Sequence, residues 1–356
     1  MATATRAGAL GGYGYLPVVA LAAVAGYVFM EMAARVTLVS GRNLGELLQV
    51  RGRWLPYLLF GAVFFGCMAY QAGNLLGALG GLQLLFPFGR VWLLPLAGAV
   101  FALLWKGSTT FIGRVMASIV AVMGLLFVVA AVQIAWPGVF PDRADAPVAT
   151  ATVLGLLGTT IVPYNFFLAA GLGAGGELAD MRRGLLLSFG VGLLVTAAIV
   201  VVGVTASGFV SFEDLARGLE AFLGEYGRLV LGAGLFAAGF SSATTAPLAA
   251  AMAGRGLLAT HDKIWRSGGS AFRATWLVVV VIGLLVALLD LDIVGVILAA
   301  QVINGLLLPF IAAVVFYLAN RRDLLGGHTN TWWQNAIGGF VLLVLFYKTA
   351  QFLFGF

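Results

Sequence analysis

Gly155-Leu156-Leu157-Gly158-Thr159-Thr160-Ile161-Val162-Pro163-Tyr164-Asn165 lies inside one of the many long apolar runs of this 356-residue chain. A proline there removes a backbone donor and clashes with the preceding turn. Carbonyls freed at membrane depth are tolerated only where they are buried in protein or line a water-filled cavity. Helices interrupted in this way build substrate and ion sites in secondary transporters. A plain proline kink accounts for the same residues without any function. Both readings stand on this segment alone, and either one makes it a helix broken inside a membrane.

The rest of the chain supports the membrane. Hydrophobic residues make up 62% and charged residues 10%, where a soluble domain is near half apolar and a quarter charged. The mean hydropathy is +1.04. The apolar runs are about 20 residues long, the length of a membrane helix. They do not alternate as barrel strands do. Spans are predicted near 13–34, 55–86, 91–105, 112–136, 149–174, 184–209, 228–253, 272–290, 293–319 and 333–354. The fold class is thus an all-α polytopic membrane protein of about ten helices, with no second domain. The 49 glycines fit close helix packing in lipid. The single cysteine, Cys67, makes no internal disulfide and excludes a cysteine-based metal site.

Charge sets the orientation. If the first span runs inward, the inner loops hold Arg35, Arg42, Arg51 and Arg53, Lys106 and Arg114, Arg182 and Arg183, Arg255, Lys263, Arg266 and Arg273, and Arg321 and Arg322. Those 14 stand against four between outer ends, namely Arg90, Arg143, Arg217 and Arg228, and the excess of basic residues marks the cytoplasmic side. The net charge of +6 is therefore spread over loops and is no nucleic-acid footprint. One consequence is awkward. Met1–Gly12, with no secretory leader pattern, falls outside the cell ahead of the first span. The expectation is that a helix is missing upstream, through a wrong start site or a truncation.

Polar residues inside the spans are few. Gln71 and Asn74 are three apart, as are Gln301 and Asn304, the latter pair followed by Pro309. Each pair shares a helix face. Their amide oxygens can ligate a hard cation or serve as interhelical glue worth about 0.6 kcal/mol per contact. Ser241-Ser242-Ala243-Thr244-Thr245 offers hydroxyls, for which bonding back to their own helix is the favoured reading. His261 and His328 fall in inner loops, Glu31 near the inner end of the first span, and Lys348 in the last span. No acid lies mid-span, whereas a proton-driven transporter needs a titratable group in the membrane. No Walker loop and no enzyme signature is present.

At this point the residues resemble the NRAMP family of divalent-metal transporters. Ala34-Arg35-Val36-Thr37-Leu38-Val39-Ser40-Gly41-Arg42-Asn43-Leu44 looks like the family's loop after its second helix. Gly158–Asn165 is similar to the sixth-helix motif G-A-T-V-M-P-H-N, Ala237–Ser242 to the eighth-helix A-A-G-Q-S-S, and Ala300-Gln301-Val302 with Leu308-Pro309-Phe310 to the tenth-helix S-Q-V…L-P-F. The resemblance covers nearly the whole chain. It implies a leucine-transporter-like fold of two inverted five-helix repeats, in which the ten spans are family helices two to eleven. Residues 1–136 would then be an incomplete first repeat, 149–319 the second repeat and 333–354 an extra C-terminal helix. The opening residues, Met1 to Ala9, are similar to the stretch just after the family's first-helix ligand motif D-P-G-N.

The departures count too. Val162 stands where the family has its methionine, Thr159 where it has the alanine whose carbonyl binds metal, and Tyr164 where it has a histidine. Gln71 and Asn74 replace both acids of the family's proton route. Loss of the soft thioether favours hard cations such as Mg²⁺ or Mn²⁺, and amides do not titrate. The same losses resemble the proton-uncoupled, NRAMP-related magnesium transporters. What the resemblance implies is a transporter or uniporter that moves a divalent metal by alternating access, without proton coupling, and is not an enzyme. Thr159, Thr160, Val162, Gln301 and Asn304 would line the ion site, with Thr159 and Gln301 as metal ligands. Gln71, Asn74, Pro163, Tyr164 and Asn165 would support it. No cofactor is expected; the metal ion is the substrate. The expected surroundings are the lipid bilayer of a bacterial-type inner membrane, with no nucleic acid and no obligate protein partner. The alternatives are an organic-solute transporter of the same fold, or a non-transporting membrane protein that lacks the first-helix ligands.

Overall fold

The computed structural model describes all residues except 51, 107–108, 136–148, 173–176, 206–210, 259–262 and 356. Among the described residues the chain is mainly helical and has no strand. The helices are α1 (Ala2–Gly11), α2 (Leu16–Ser40), α3 (Leu44–Gln49), α4 (Leu55–Leu85), α5 (Leu93–Lys106), α6 (Thr109–Ala135), α7 (Thr150–Thr160), α8 (Pro163–Leu172), α9 (Leu178–Gly203), α10 (Phe212–Leu223), α11 (Tyr226–Leu258), α12 (Ser270–Leu288), α13 (Ile293–Ala319), α14 (Arg322–Leu325) and α15 (Trp332–Phe354). Short 3₁₀ turns link several of them.

Among the described residues each of the ten predicted spans is mainly helical. Eight helical stretches are long and apolar enough to cross a membrane. The other two are α5, 14 residues, and α6, 27 residues. At 1.5 Å per residue α5 reaches only about 21 Å, short of the roughly 30 Å of hydrocarbon. The predicted span 149–174 is realised as two half-helices, α7 and α8, separated by Ile161 and Val162.

The N-terminal segment corrects the sequence reading. Met1–Gly12 was expected as a tail outside the bilayer, with the first span over 13–34. Instead Ala2–Gly11 is a helix buried over most of its length, and the span after it runs from Leu16 to Ser40. The reason is side-chain size. α1 reads Ala-Thr-Ala-Thr-Arg-Ala-Gly-Ala-Leu-Gly, too weakly apolar to register as a span, yet small enough to enter the bundle. A Cβ at Gly8 would sit 2.0 Å from the Val200 carbonyl oxygen, and one at Gly203 would sit 2.3 Å from that of Thr5. The backbones of α1 and α9 therefore touch, as small residues allow in membrane bundles.

α4 and α11 form the longest packed seam in the same manner. A Cβ at Gly81 would lie 2.3 Å from the Phe236 nitrogen, and one at Gly239 2.3 Å from that of Ala78. α4 also packs on α12 and α13, so it has neighbours on several sides. Pro247 and Pro309 sit inside α11 and α13 without ending them.

The one buried ion-pair cluster among the described residues ties three helices together at one end of the bundle. Glu31 and Arg35 of α2 are each 1% exposed and 3.0 Å apart. Arg182 of α9 reaches Glu31 at 2.8 Å. Gln334 of α15 donates to the other Glu31 oxygen at 3.0 Å. Arg35 also donates to the Asn330 side chain at 2.6 Å and to the His328 carbonyl. At the other end, α10 begins with a capping box between Ser211 and Asp214, and Arg228 of α11 clamps it through Glu213 and Glu220 at 2.5 and 2.7 Å.

Candidate functional site

The site grows from Pro163. In an unbroken helix the carbonyl of residue 159 accepts from the N–H of residue 163, and proline has none. α7 therefore closes at Thr160, with Ile161 at φ −106°, ψ 68° and its N–H on the Leu157 carbonyl at 2.7 Å. α8 restarts with Asn165 donating to the Val162 carbonyl at 3.0 Å. The carbonyl of Thr159 is left without its helical donor. The C-terminal end of α7 carries the partial negative charge of the helix dipole into the break, which favours a cation there.

α13 is pressed onto this break. A Cβ at Gly158 would stand 2.3 Å from the Gln301 carbonyl oxygen and 2.6 Å from the Gly305 nitrogen; one at Gly305 would stand 2.5 Å from the Leu154 carbonyl oxygen. Only glycine on both sides permits that approach. It sets Gln301 beside the break, 5% exposed, with its Oε1 meeting no protein donor. A buried amide oxygen left so costs roughly 1–3 kcal/mol, which makes it a ready ligand.

A cavity of about 470 Å³ opens at this point. Thr159, Val162, Tyr164 and Asn165 line it from the break, Tyr70 and Asn74 from α4, Ser241, Ser242 and Thr245 from α11, and Gln301 from α13. Met1 and Ala2 reach it from the start of α1, and Phe212 from α10. None of the lining residues is Asp, Glu, Lys, Arg, His or Cys. Among the described residues no group of three or more His, Cys, Asp or Glu could hold a metal. The polar side chains that line the cavity are hydroxyls and amides.

The structure brings together six of the ten residues singled out from sequence: Thr159, Val162, Tyr164, Asn165, Asn74 and Gln301. The other four are placed outside the lining. Gln71 donates its amide to the Ala243 carbonyl at 3.0 Å and packs on α12, where a Cβ at Gly283 would touch its Cγ at 2.3 Å. Asn304 packs inward of Gln301, its Oδ1 2.7 Å from where a Cβ at Gly66 of α4 would be. Thr160 is half-buried and Pro163 buried, and neither faces the cavity. Residues three apart share a face only loosely. With α4 packed on α11, α12 and α13, that offset is enough to send Gln71 and Asn74 to different neighbours.

Sequence reading passed over Tyr70. Its signal was present, one turn before Asn74 on the same α4 face, at i and i+4. In α11 the favoured back-bonding is what occurs. Ser241, Thr244 and Thr245 donate to the carbonyls of Ala238, Phe240 and Ser241 at 3.1, 3.0 and 2.8 Å. Ser241 and Thr245 line the cavity as well. His328 is exposed, and His261 lies outside the described residues.

A family model described as Nramp, natural resistance-associated macrophage protein-like, matches residues 1–355. A curated divalent metal cation transporter MntH of Granulibacter bethesdensis is 26% identical over 97% of this chain and 82% of its own length. MntH 1 of Pseudomonas aeruginosa is 27% identical over 94% and 83%. The crystal structure of the Eremococcus coleocola manganese transporter with an aromatic bis-isothiourea compound matches with a TM-score of 0.79 at 20% identity, over 98% of this chain and 81% of that one. Mhp1, a nucleobase-cation-symport-1 family transporter, matches with a TM-score of 0.57 at 14% identity. These structural likenesses bear on the fold, which is that of the inverted-repeat transporters. With a match over its whole length, the chain belongs to the Nramp family of membrane transport proteins.

Proposed function

We propose that this chain carries a divalent metal cation across a membrane by alternating access, through the cavity at the α7–α8 break, and without moving a proton in exchange. The observation that carries the reading is that two residues with unused acceptor oxygens both line that cavity. One is Thr159, whose carbonyl is deprived of its helical donor by Pro163. The other is Gln301, whose buried Oε1 has no protein partner. Relatives named as divalent metal cation transporters cover more than nine-tenths of the chain.

The donors proposed at the break, on Thr159 and Gln301, are oxygens, and Val162 supplies no sulfur there. Oxygen ligands suit Mg²⁺ and Mn²⁺. The lining offers no carboxylate or imidazole to take up a proton. Residues 1–136 and 149–319 are, on this reading, the two repeats that rock against each other around the cavity, and a bacterial-type inner membrane is the setting. A small organic solute is the second reading, favoured by one feature: about 470 Å³ exceeds a bare ion many times over, a water taking about 30 Å³ of liquid.

Uptake of Mn²⁺ and Mg²⁺ into proteoliposomes, with a pH dye inside, tests the proposal. Metal entry without acidification of the lumen, weakened by Gln301→Ala, is the expected result. Acidification in step with metal entry would overturn the uncoupled form. No uptake of either metal, with uptake of a small organic cation, would move the assignment to the second reading.

A further inference from the structure

Several hydroxyls in the apolar helices of this protein bond back to their own backbone. Thr37, Ser188, Thr244, Thr245 and Thr275 all donate to a carbonyl three or four residues earlier, at 2.8 to 3.4 Å. Thr159 departs from this habit. Its Oγ1 pairs with the Tyr70 phenol of α4 at 3.1 Å, a bond that crosses from one packed unit to the break. Both residues line the cavity. Tyr70 is 9% exposed, and its ring meets Tyr164, just past the break, edge-on at 6.3 Å and 75°.

The register of α4 against α13 places this contact. A Cβ at Gly66 would touch Asn304 and one at Gly73 would touch Ile297, so Tyr70 lies between those levels, abreast of Gln301. Tyr70 is thus bonded to the residue that owns the first oxygen invoked above and level with the residue that owns the second. A threonine whose hydroxyl turned back to the Gly155 carbonyl would pull its side chain away from α4 and release the end of α7.

We propose that Tyr70 is a positioning residue for the carried cation: its hydrogen bond to Thr159 fixes the end of α7 at the cavity wall and so sets the affinity of the site. The inference rests on the metal-transport reading and adds a residue to it. A hydroxyl pair also keeps lone pairs free for the water hydrogens of a hydrated ion, which a phenylalanine at 70 would not.

The test is initial-rate uptake of Mn²⁺ and of Mg²⁺ by the full chain in proteoliposomes, for wild type, Tyr70→Phe, Thr159→Val, Thr159→Ser and the Tyr70→Phe/Thr159→Val double variant. Tyr70→Phe keeps the ring and its contact with Tyr164. The expected result is a KM raised about fivefold, the weight of one neutral hydrogen bond, with the maximal rate within about twofold of wild type. Thr159→Val should match it, the double variant should be no worse than either single one, and Thr159→Ser should stay near wild type. A purely structural tyrosine would lower the melting temperature and the maximal rate and leave KM alone. An unchanged KM for Tyr70→Phe, or singles whose effects multiply in the double variant, would overturn the proposal while metal transport stood. A wild-type chain that takes up neither metal would remove the underlying reading and this inference with it.

Discussion

Replacing Gly158 by alanine tests the close approach on which the site rests. The new Cβ would meet the Gln301 carbonyl oxygen at 2.3 Å, the Gly305 nitrogen at 2.6 Å and the Gly305 Cα at 3.0 Å. All three are backbone atoms of α13, so no rotamer change relieves the clash. Restoring ordinary contact, near 3.5 Å, requires α7 and α13 to part by roughly 1 Å. Overpacking of a tight core typically costs about 1–3 kcal/mol. The same shift would carry Gln301 away from Thr159, so affinity should fall together with stability. Thermal unfolding in detergent and Mn²⁺ uptake in proteoliposomes read the two effects. Gly184→Ala in α9 is the control: nothing lies within 4 Å of its Cβ position, and a helical glycine-to-alanine change is neutral or stabilising by up to about 1 kcal/mol. If Gly158→Ala melted with wild type and Gly184→Ala and transported as well, the α7–α13 contact would not be what assembles the site.

Other perturbations have equally definite outcomes. Pro163→Ala restores a donor for the Thr159 carbonyl; uptake should fall while the melting temperature holds or rises, and a variant that transports as wild type would show that the freed carbonyl is not used. Glu31→Gln strips the buried Arg35 of its counter-charge, and breaking such a pair costs about 3–5 kcal/mol; a melting temperature within a degree of wild type would contradict the cluster's role. At the outer surface, the Ser211 hydroxyl bond, with Arg217 nearby, holds the Asp214 carboxyl below its ordinary value. A depressed folded-state pKa means the capping contribution is whole above the ordinary carboxylate range and is lost as pH falls through the lowered value. Hydrogen-exchange protection of α10 should weaken over that acid window, and Asp214→Asn should remove the pH dependence. Ser211→Ala should cost about 1 kcal/mol of local stability at any pH above it.

Much of this architecture was legible before any coordinates, for reasons that differ by element. The long spans announce themselves because lipid demands some twenty apolar residues. The break at Ile161–Val162 announces itself because proline cannot donate. α1 stayed hidden because its burial depends on smallness and not on hydropathy: Gly8 against Val200 and Gly203 against Thr5 are facts about two helices at once. The fates of Gln71 and Asn304 were illegible for a related reason. A helix face becomes inner or outer only when its neighbours are placed, and the partners that claim these side chains are glycines, Gly283 and Gly66, whose meaning is the space they leave. Tyr70 was within reach of a one-turn count from Asn74, and the eye for amides passed over it.

The distribution of charge joins these observations to the proposed mechanism. A carboxylate does lie within the bundle, at Glu31, but it is held by Arg35, Arg182 and Gln334 at 2.8 to 3.0 Å. Glu31 thereby fastens α2, α9 and α15 to one another. At the cavity itself the amide-bearing residue Asn74 belongs to the lining, while Gln71 does not. A cation entering such a site gains neutral oxygens and meets no fixed negative charge in the lining. Its binding must then be weaker than carboxylates would give, and for a carrier that works down a gradient weak binding is a virtue, because the same oxygens that admit the ion have to release it on the other side.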